Sequence, residues 1–370
     1  MTTLRRALVL GMLAGAPLVA EGPGLKDAAP PGMLIGVALG RNQTTGEDPH
    51  VAALVPRHFD SLTTENELKW ERVHPDPDRY DFGPADRAVA FGEKHGMAVI
   101  GHVLLWHQQT PAWAFAGEGE KPLDRETALG RLRAHIQAVA GRYKGRIKGW
   151  DVVNEAVNDD GTMRRTAWLE AIGEDYVARA FEYAREADPG AELYYNDYNV
   201  WMPEKRRTIL RLVSGLRKQG LRVDGVGAQG HWLIGDPSLD QIEAMITDIA
   251  EAGFEVPITE LDVDPLPRDP RMYGADLAQK TQMGKDTNIY ADGLPPDEQR
   301  ELAERYGGIF RLFVKHRASI PRVTFWALTD ASTWLNGFPV PGRLNHPMLW
   351  DRDGRAKPAF FAVLGALQSR

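Results

Sequence analysis

Cysteine is absent from all 370 residues, which excludes disulfides, a thiol nucleophile and thiolate metal sites, and leaves the redox compartment unmarked. Positive charge is in deficit. Against 51 Asp and Glu stand 44 Lys and Arg, a formal charge of −7. Nucleic acid and anionic membrane surfaces are held by clustered positive charge, so neither is an expected partner; a neutral polymer is compatible. Beyond residue 20 no apolar run approaches membrane length, and no internal repeat or low-complexity segment stands out. The end of the first expected strand, Gly36-Val37-Ala38-Leu39-Gly40-Arg41, lacks the glycine-rich phosphate turn that a doubly wound nucleotide-binding sheet would usually show there. His102, His107, His231 and Asp262 are spaced too irregularly for a compact metal motif, and no metal or cofactor is expected.

The apolar run that does exist is at the start. Arg5 and Arg6 precede Ala7–Ala20, and Glu21-Gly22-Pro23-Gly24 breaks the pattern. A charged start, a short apolar region and small residues at its end describe a secretory signal peptide over residues 1–20, with a secreted or periplasmic destination. A Pro/Gly-rich leader over 21–32 then enters a catalytic domain spanning 33–370. Hydrophobic residues make up 43% of the chain, ample for a large core.

From Met33 onward short apolar runs alternate with longer amphipathic ones, the pattern of a parallel α/β sheet. Strands are expected at Leu34–Ala38, Ser61–Thr64, Ala98–Leu104, Gly149–Asn154, Glu192–Asn196, Gly225–Gln229, Pro257–Leu261 and Val323–Trp326. Helices are expected near Val51–His58, Pro84–His95, Arg125–Tyr143, Asp175–Asp188, Met202–Gln219, Leu239–Ala252, Glu298–His316 and Pro358–Leu367. Eight strand–helix units over this length fit a single closed (β/α)8 TIM barrel. The one long irregular stretch, Asp264–Pro296, would overhang its active face.

In such a barrel the chemistry gathers at the C-terminal strand ends, and here those ends are polar. Trp150-Asp151-Val152-Val153-Asn154-Glu155 and Pro257-Ile258-Thr259-Glu260-Leu261-Asp262 each carry a glutamate out of an apolar strand. Two such carboxyls are the minimal equipment for cleaving a glycosidic bond. Of the ten tryptophans, eight lie in or beside strand-end motifs. Trp150 and Trp168 are assigned to the core, whereas Trp106, Trp326 and Trp334 are assigned to a sugar-facing rim, since indole faces stack on sugar rings. Glu67 is expected to be an exposed first-turn residue, and Lys69, beside Glu65 and Asn66, a hydroxyl donor. Asp262 is expected to hold His231, whose other nitrogen then aims Glu260.

With these motifs assembled, the chain resembles glycoside hydrolase family 10, the retaining endo-β-1,4-xylanases. The resemblance rests on Thr64-Glu65-Asn66-Glu67-Leu68-Lys69-Trp70, Gly101-His102 through Trp106-His107, Trp150 through Glu155, Tyr195-Asn196-Asp197-Tyr198-Asn199, Gln229-Gly230-His231, Ile258 through Asp262, and the Trp326 and Trp334 pair. It implies Glu155 as acid/base and Glu260 as nucleophile. It also implies that Glu65, Asn66, Lys69, His102, Trp106, Asn154, Gln229, His231, Trp326 and Trp334 line the glycone side, with Tyr198 and Asn199 towards the aglycone. Xylan and xylo-oligosaccharides become the expected partners. Two departures bear on subsites: Ala327 follows Trp326 where the family often has glycine, and the Asp264–Pro296 stretch is longer than in compact members. Other β-1,4 polymers, a non-catalytic glycan-binding barrel and a metal-dependent hydrolase are the rival readings.

Overall fold

The computed structural model describes residues 22–117, 123–268, 280, 282–283 and 287–369. The expected signal peptide and much of the Asp264–Pro296 stretch lie outside the described residues. Among the described residues, nine strands form one parallel sheet: β1 (Leu34–Leu39), β2 (Ser61–Thr64), β3 (Ala98–Leu105), β4 (Gly149–Asn154), β5 (Glu192–Asp197), β6 (Gly225–Ala228), β7 (His231–Leu233), β8 (Ile258–Asp264) and β9 (Arg322–Phe325). Consecutive neighbours pair from β1 to β6, β6 pairs with β8, β8 with β9, and β9 with β1, so the sheet closes on itself. β6 and β7 are two pieces of one stave. Ala228 lies opposite Ile258 and His231 opposite Asp262, with Gln229 and the positive-φ Gly230 between them. The eight-strand (β/α)8 barrel expected from the alternation is therefore present.

The strands form where short β-branched and apolar runs can be buried on both faces, and almost every strand residue is buried. The eight expected helices all occur, each end within two residues of its expected place. Their starts are set by side chains that satisfy the free N–H groups of the first turn. Asp48 accepts from His50 and Val51, Asp124 from Thr127, and Ser238 forms a reciprocal capping box with Gln241. Short elements appear that periodicity does not reveal, among them the helices Leu25–Ala28, Trp70–Val73 and Ala167–Ile172. The first belongs to the stretch read as a leader; its Leu25 is fully buried and it packs on helices Pro49–His58 and Pro358–Gln368. Among the described residues, no helix is long and apolar enough to cross a membrane.

On the helix-facing side of the sheet, a glycine lies beside an aromatic across neighbouring strands. Gly101 of β3 lies opposite Trp150 of β4, and a methyl group on Gly101 would sit 2.1 Å from the indole. The fully buried Trp150 ring thus occupies the space that a side chain at 101 would need. Gly101→Ala should lower stability by about 1–3 kcal/mol through overpacking. Gly130→Ala, on an open helix face with nothing within 4 Å, should instead raise it by up to about 1 kcal/mol. Denaturant unfolding of the two variants checks this; an unchanged midpoint for Gly101→Ala would contradict the packing account.

Candidate active site

The C-terminal ends of the strands converge on a cavity of about 250 Å³. Glu65, Asn66 and Lys69 reach it from the segment after β2, His102 and Trp106 from β3 and its end, and Asn154 and Glu155 from β4. Gln229 and His231 come from the interrupted stave, Glu260 from β8, and Trp326 and Trp334 from the segment after β9. Each of these was singled out in the sequence as a substrate-facing or catalytic residue. Tyr198 and Asn199 do not line this cavity. They lie beyond Glu155, where Arg164 Nη2 donates to the Tyr198 hydroxyl at 2.6 Å and Asn199 Nδ2 donates to Asp159 at 3.1 Å.

Glu155 is buried at the first position past β4 and has φ of +60°. A non-glycine residue in the left-handed region costs roughly 1–3 kcal/mol and persists only where its surroundings impose it. Its carboxyl accepts from Trp106 Nε1 at 2.9 Å, from Gln229 Nε2 at 3.0 Å and from Asn154 Nδ2 at 3.1 Å. Burial and then the negative charge of Asp197 push its pKa up to about 7, outweighing the hydrogen bonds from Gln229 and Trp106.

Glu260 is equally buried and has the opposite balance. Burial alone would raise its pKa, but the hydrogen bond from His231 and the electrostatic influence of His102, His231 and Lys69 hold it below the usual carboxylate value. His231 stands between two carboxylates, Nδ1 at 2.9 Å from Asp262 and Nε2 at 3.2 Å from Glu260. Although burial opposes its charge, Asp262 and Glu260 raise its pKa to about 9. At neutral pH both ring nitrogens therefore carry protons and donate. Trp334 Nε1 donates to the same Asp262 oxygen at 2.8 Å, so the orienting carboxylate is itself held.

Several contributors were not singled out in the sequence. Asn196 Nδ2 lies 2.8 Å from Glu260 Oε1 and 2.9 Å from Asn154 Oδ1, linking the two glutamates through their neighbours. Asp151 accepts from His102 Nδ1 at 3.0 Å; a charge inside the apolar run of β4 was its signal. Arg72 and Gln109 also line the cavity. Arg72 follows Lys69 by one helical turn, a spacing that places both on one face. Lys69 itself is buried, donates to Asn66 Oδ1 at 3.0 Å and lies 5.1 Å over the Trp106 ring. Glu67, expected to be exposed, is instead buried, because Arg41 from the segment after β1 donates to it at 3.1 Å. Among the described residues, no group of three or more His, Asp or Glu is placed to hold a metal ion.

The profile of glycosyl hydrolase family 10 matches residues 24–366. Endo-1,4-beta-xylanase A of Xylanibacter ruminicola is 41% identical over 357 residues, 96% of this chain and 97% of that protein. Endo-1,4-beta-xylanase of Geobacillus stearothermophilus is 42% identical, covering 84% of this chain and 90% of that protein. Among solved structures, an endoxylanase of the same family from a sugarcane soil metagenome superposes with a TM-score of 0.88 at 42% identity, covering 94% of this chain and all of that one.

The raised Glu155 pKa has a stability consequence of definite sign. Its native value, about 7, lies above the ordinary 4.5, so the fold binds this proton more tightly than the unfolded chain does. Stability is lost as pH rises from about 4.5 to about 7 and the full penalty remains above. Glu155→Gln should therefore stabilise the protein at pH 8 by up to about 3 kcal/mol, and leave it nearly unchanged at pH 4. Denaturant unfolding at the two pH values checks this; an equal gain at both would contradict it.

Proposed function

The chain belongs to glycosyl hydrolase family 10, and from that premise we propose that it is a retaining endo-1,4-β-xylanase, with Glu155 as acid/base and Glu260 as nucleophile. The observation that carries the assignment of roles is the divergence of two buried carboxyls, Glu155 with a pKa raised to about 7 and Glu260 with one held below 4.5. Around pH 6 the first keeps its proton while the second is ionised, the state that acid and nucleophile need at the same moment.

The substrate is xylan or a xylo-oligosaccharide lying across the barrel mouth. Glu260 attacks the anomeric carbon while the bond to the departing oxygen breaks, and Glu155 gives its proton to that oxygen. The aglycone half of the chain leaves. Glu155, now a carboxylate, takes a proton from water, whose oxygen attacks the same carbon and breaks the ester to Glu260. Two displacements at one carbon return the β-configuration. Lys69, Asn66, Gln229 and Asn154 supply polar groups for sugar hydroxyls, and Trp326 and Trp334 supply ring faces. The N-terminal pattern of Arg5, Arg6 and Ala7–Ala20 supports export to the periplasm or beyond, a reading that N-terminal sequencing of the exported protein would test.

Linear xylan and carboxymethyl-cellulose, digested side by side with anomeric NMR of the earliest products, test the reaction. The expected outcome is β-anomeric product from xylan, absent with Glu260→Ala. An early α-product, or an active Glu260→Ala variant, would overturn the two-glutamate reading.

A further inference from the structure

The peptide that joins Glu155 to Ala156 is gripped at both of its polar ends by side chains that do not line the cavity. Its carbonyl accepts from Arg164 Nε at 2.9 Å, and its N–H donates to the Tyr195 hydroxyl at 3.0 Å. Tyr195 donates onward to Asp197 Oδ2 at 2.6 Å, and Asp197 is held by the Lys205 ammonium at 2.8 Å. Tyr195, Asp197 and Lys205 are all completely buried. On the other side of the residue, the Glu155 N–H donates to the Asn196 carbonyl at 2.9 Å, which continues the ladder between β4 and β5.

These contacts bear on a specific conformational problem. Glu155 has φ of +60°, a region that glutamate leaves for extended backbone unless held. The ladder fixes the peptide before it. Among the described residues, the side chains of Arg164 and Tyr195 hold the two polar ends of the peptide after it, and rotation of that peptide would carry the Glu155 side chain away from Trp106, Gln229 and Asn154. Tyr195 is the more constrained of the two, since the buried Asp197 leaves its hydroxyl proton one destination and its lone pairs facing Ala156.

We propose that Tyr195, oriented by Asp197, is a positioning residue for proton transfer: its hydroxyl holds the Glu155–Ala156 peptide so that the Glu155 carboxyl meets the departing glycosidic oxygen. This rests on the reading of Glu155 as the acid.

The test separates substrates that need an acid from those that do not. Xylotetraose has a poor leaving group, whereas 2,4-dinitrophenyl β-xylobioside has one that departs without protonation. With Tyr195→Phe, kcat/KM for xylotetraose should fall by about tenfold or more, while that for the dinitrophenyl substrate stays within about twofold of wild type. Glu155→Gln provides the reference for selective loss; if it lowers both substrates equally, the acid assignment fails and the positioning role with it. If Glu155→Gln is selective but Tyr195→Phe leaves both rates unchanged or lowers both by one factor, the positioning role alone is overturned. Arg164→Gln releases the carbonyl end of the same peptide from a half-buried position and decides the matter should Tyr195→Phe not fold. The expected result is the same selective loss, and its absence overturns the proposal.

Discussion

Two carboxyl groups removed from water at the mouth of one barrel, and driven to opposite charge states, are the constraint on which the rest of this structure depends. Burial by itself pushes both towards the neutral form. What separates them is the set of charges each one faces. Glu260 meets the His231 imidazolium, backed by Asp262 and Trp334, together with His102 and Lys69. Glu155 meets Asp197 and neutral donors. A buried charge without a partner is expensive, so the positive groups around Glu260 stabilise its ionised form as well as arranging its chemistry, while the proton on Glu155 is the less costly state for that group.

Geometry and electrostatics come from the same residues. Trp106 presents an aromatic surface at the cavity and donates its indole N–H to Glu155, and Trp334 does likewise towards Asp262. Asn196, buried at the end of β5, ties Glu260 to Asn154, which is in turn bonded to Glu155. Displacing one carboxyl therefore disturbs the donors of the other. The barrel makes this economical, because β4, β5 and β8 deliver Asn154, Asn196 and Glu260 to one rim, and the break in the stave at Gln229 and Gly230 turns Gln229 towards Glu155 and His231 towards Glu260.

Much of this was legible in the chain itself. Strands buried on both faces read as short apolar runs, and a single glutamate carried out by one is most often a solvated or capping residue; the pairing of Glu155 with Glu260, with Asn154 beside it, is what pointed to a site. The Asp262–His231–Glu260 relay was also legible, since all three residues lie at neighbouring strand ends. What could not be read were partners distant in sequence. Nothing near Glu67 announces Arg41, and nothing near Asn196 announces Glu260. The short helices Leu25–Ala28 and Trp70–Val73 span a single turn, too few residues for a 3.6-residue period to show, and are held by packing. The left-handed backbone at Glu155 has no sequence signal at all, because glutamate has no preference for it.

The central claim is that the free protein holds one glutamate protonated and its partner ionised near neutral pH. Carbon-13 NMR titration of the glutamate side-chain carboxyls, with Glu155 assigned from its disappearance in Glu155→Gln, measures this directly. The account predicts one carboxyl titrating near 7, and a second, assigned to Glu260 in the same way, titrating below 4.5. Both titrating together in the ordinary carboxylate range, or the two values interchanged, would contradict it.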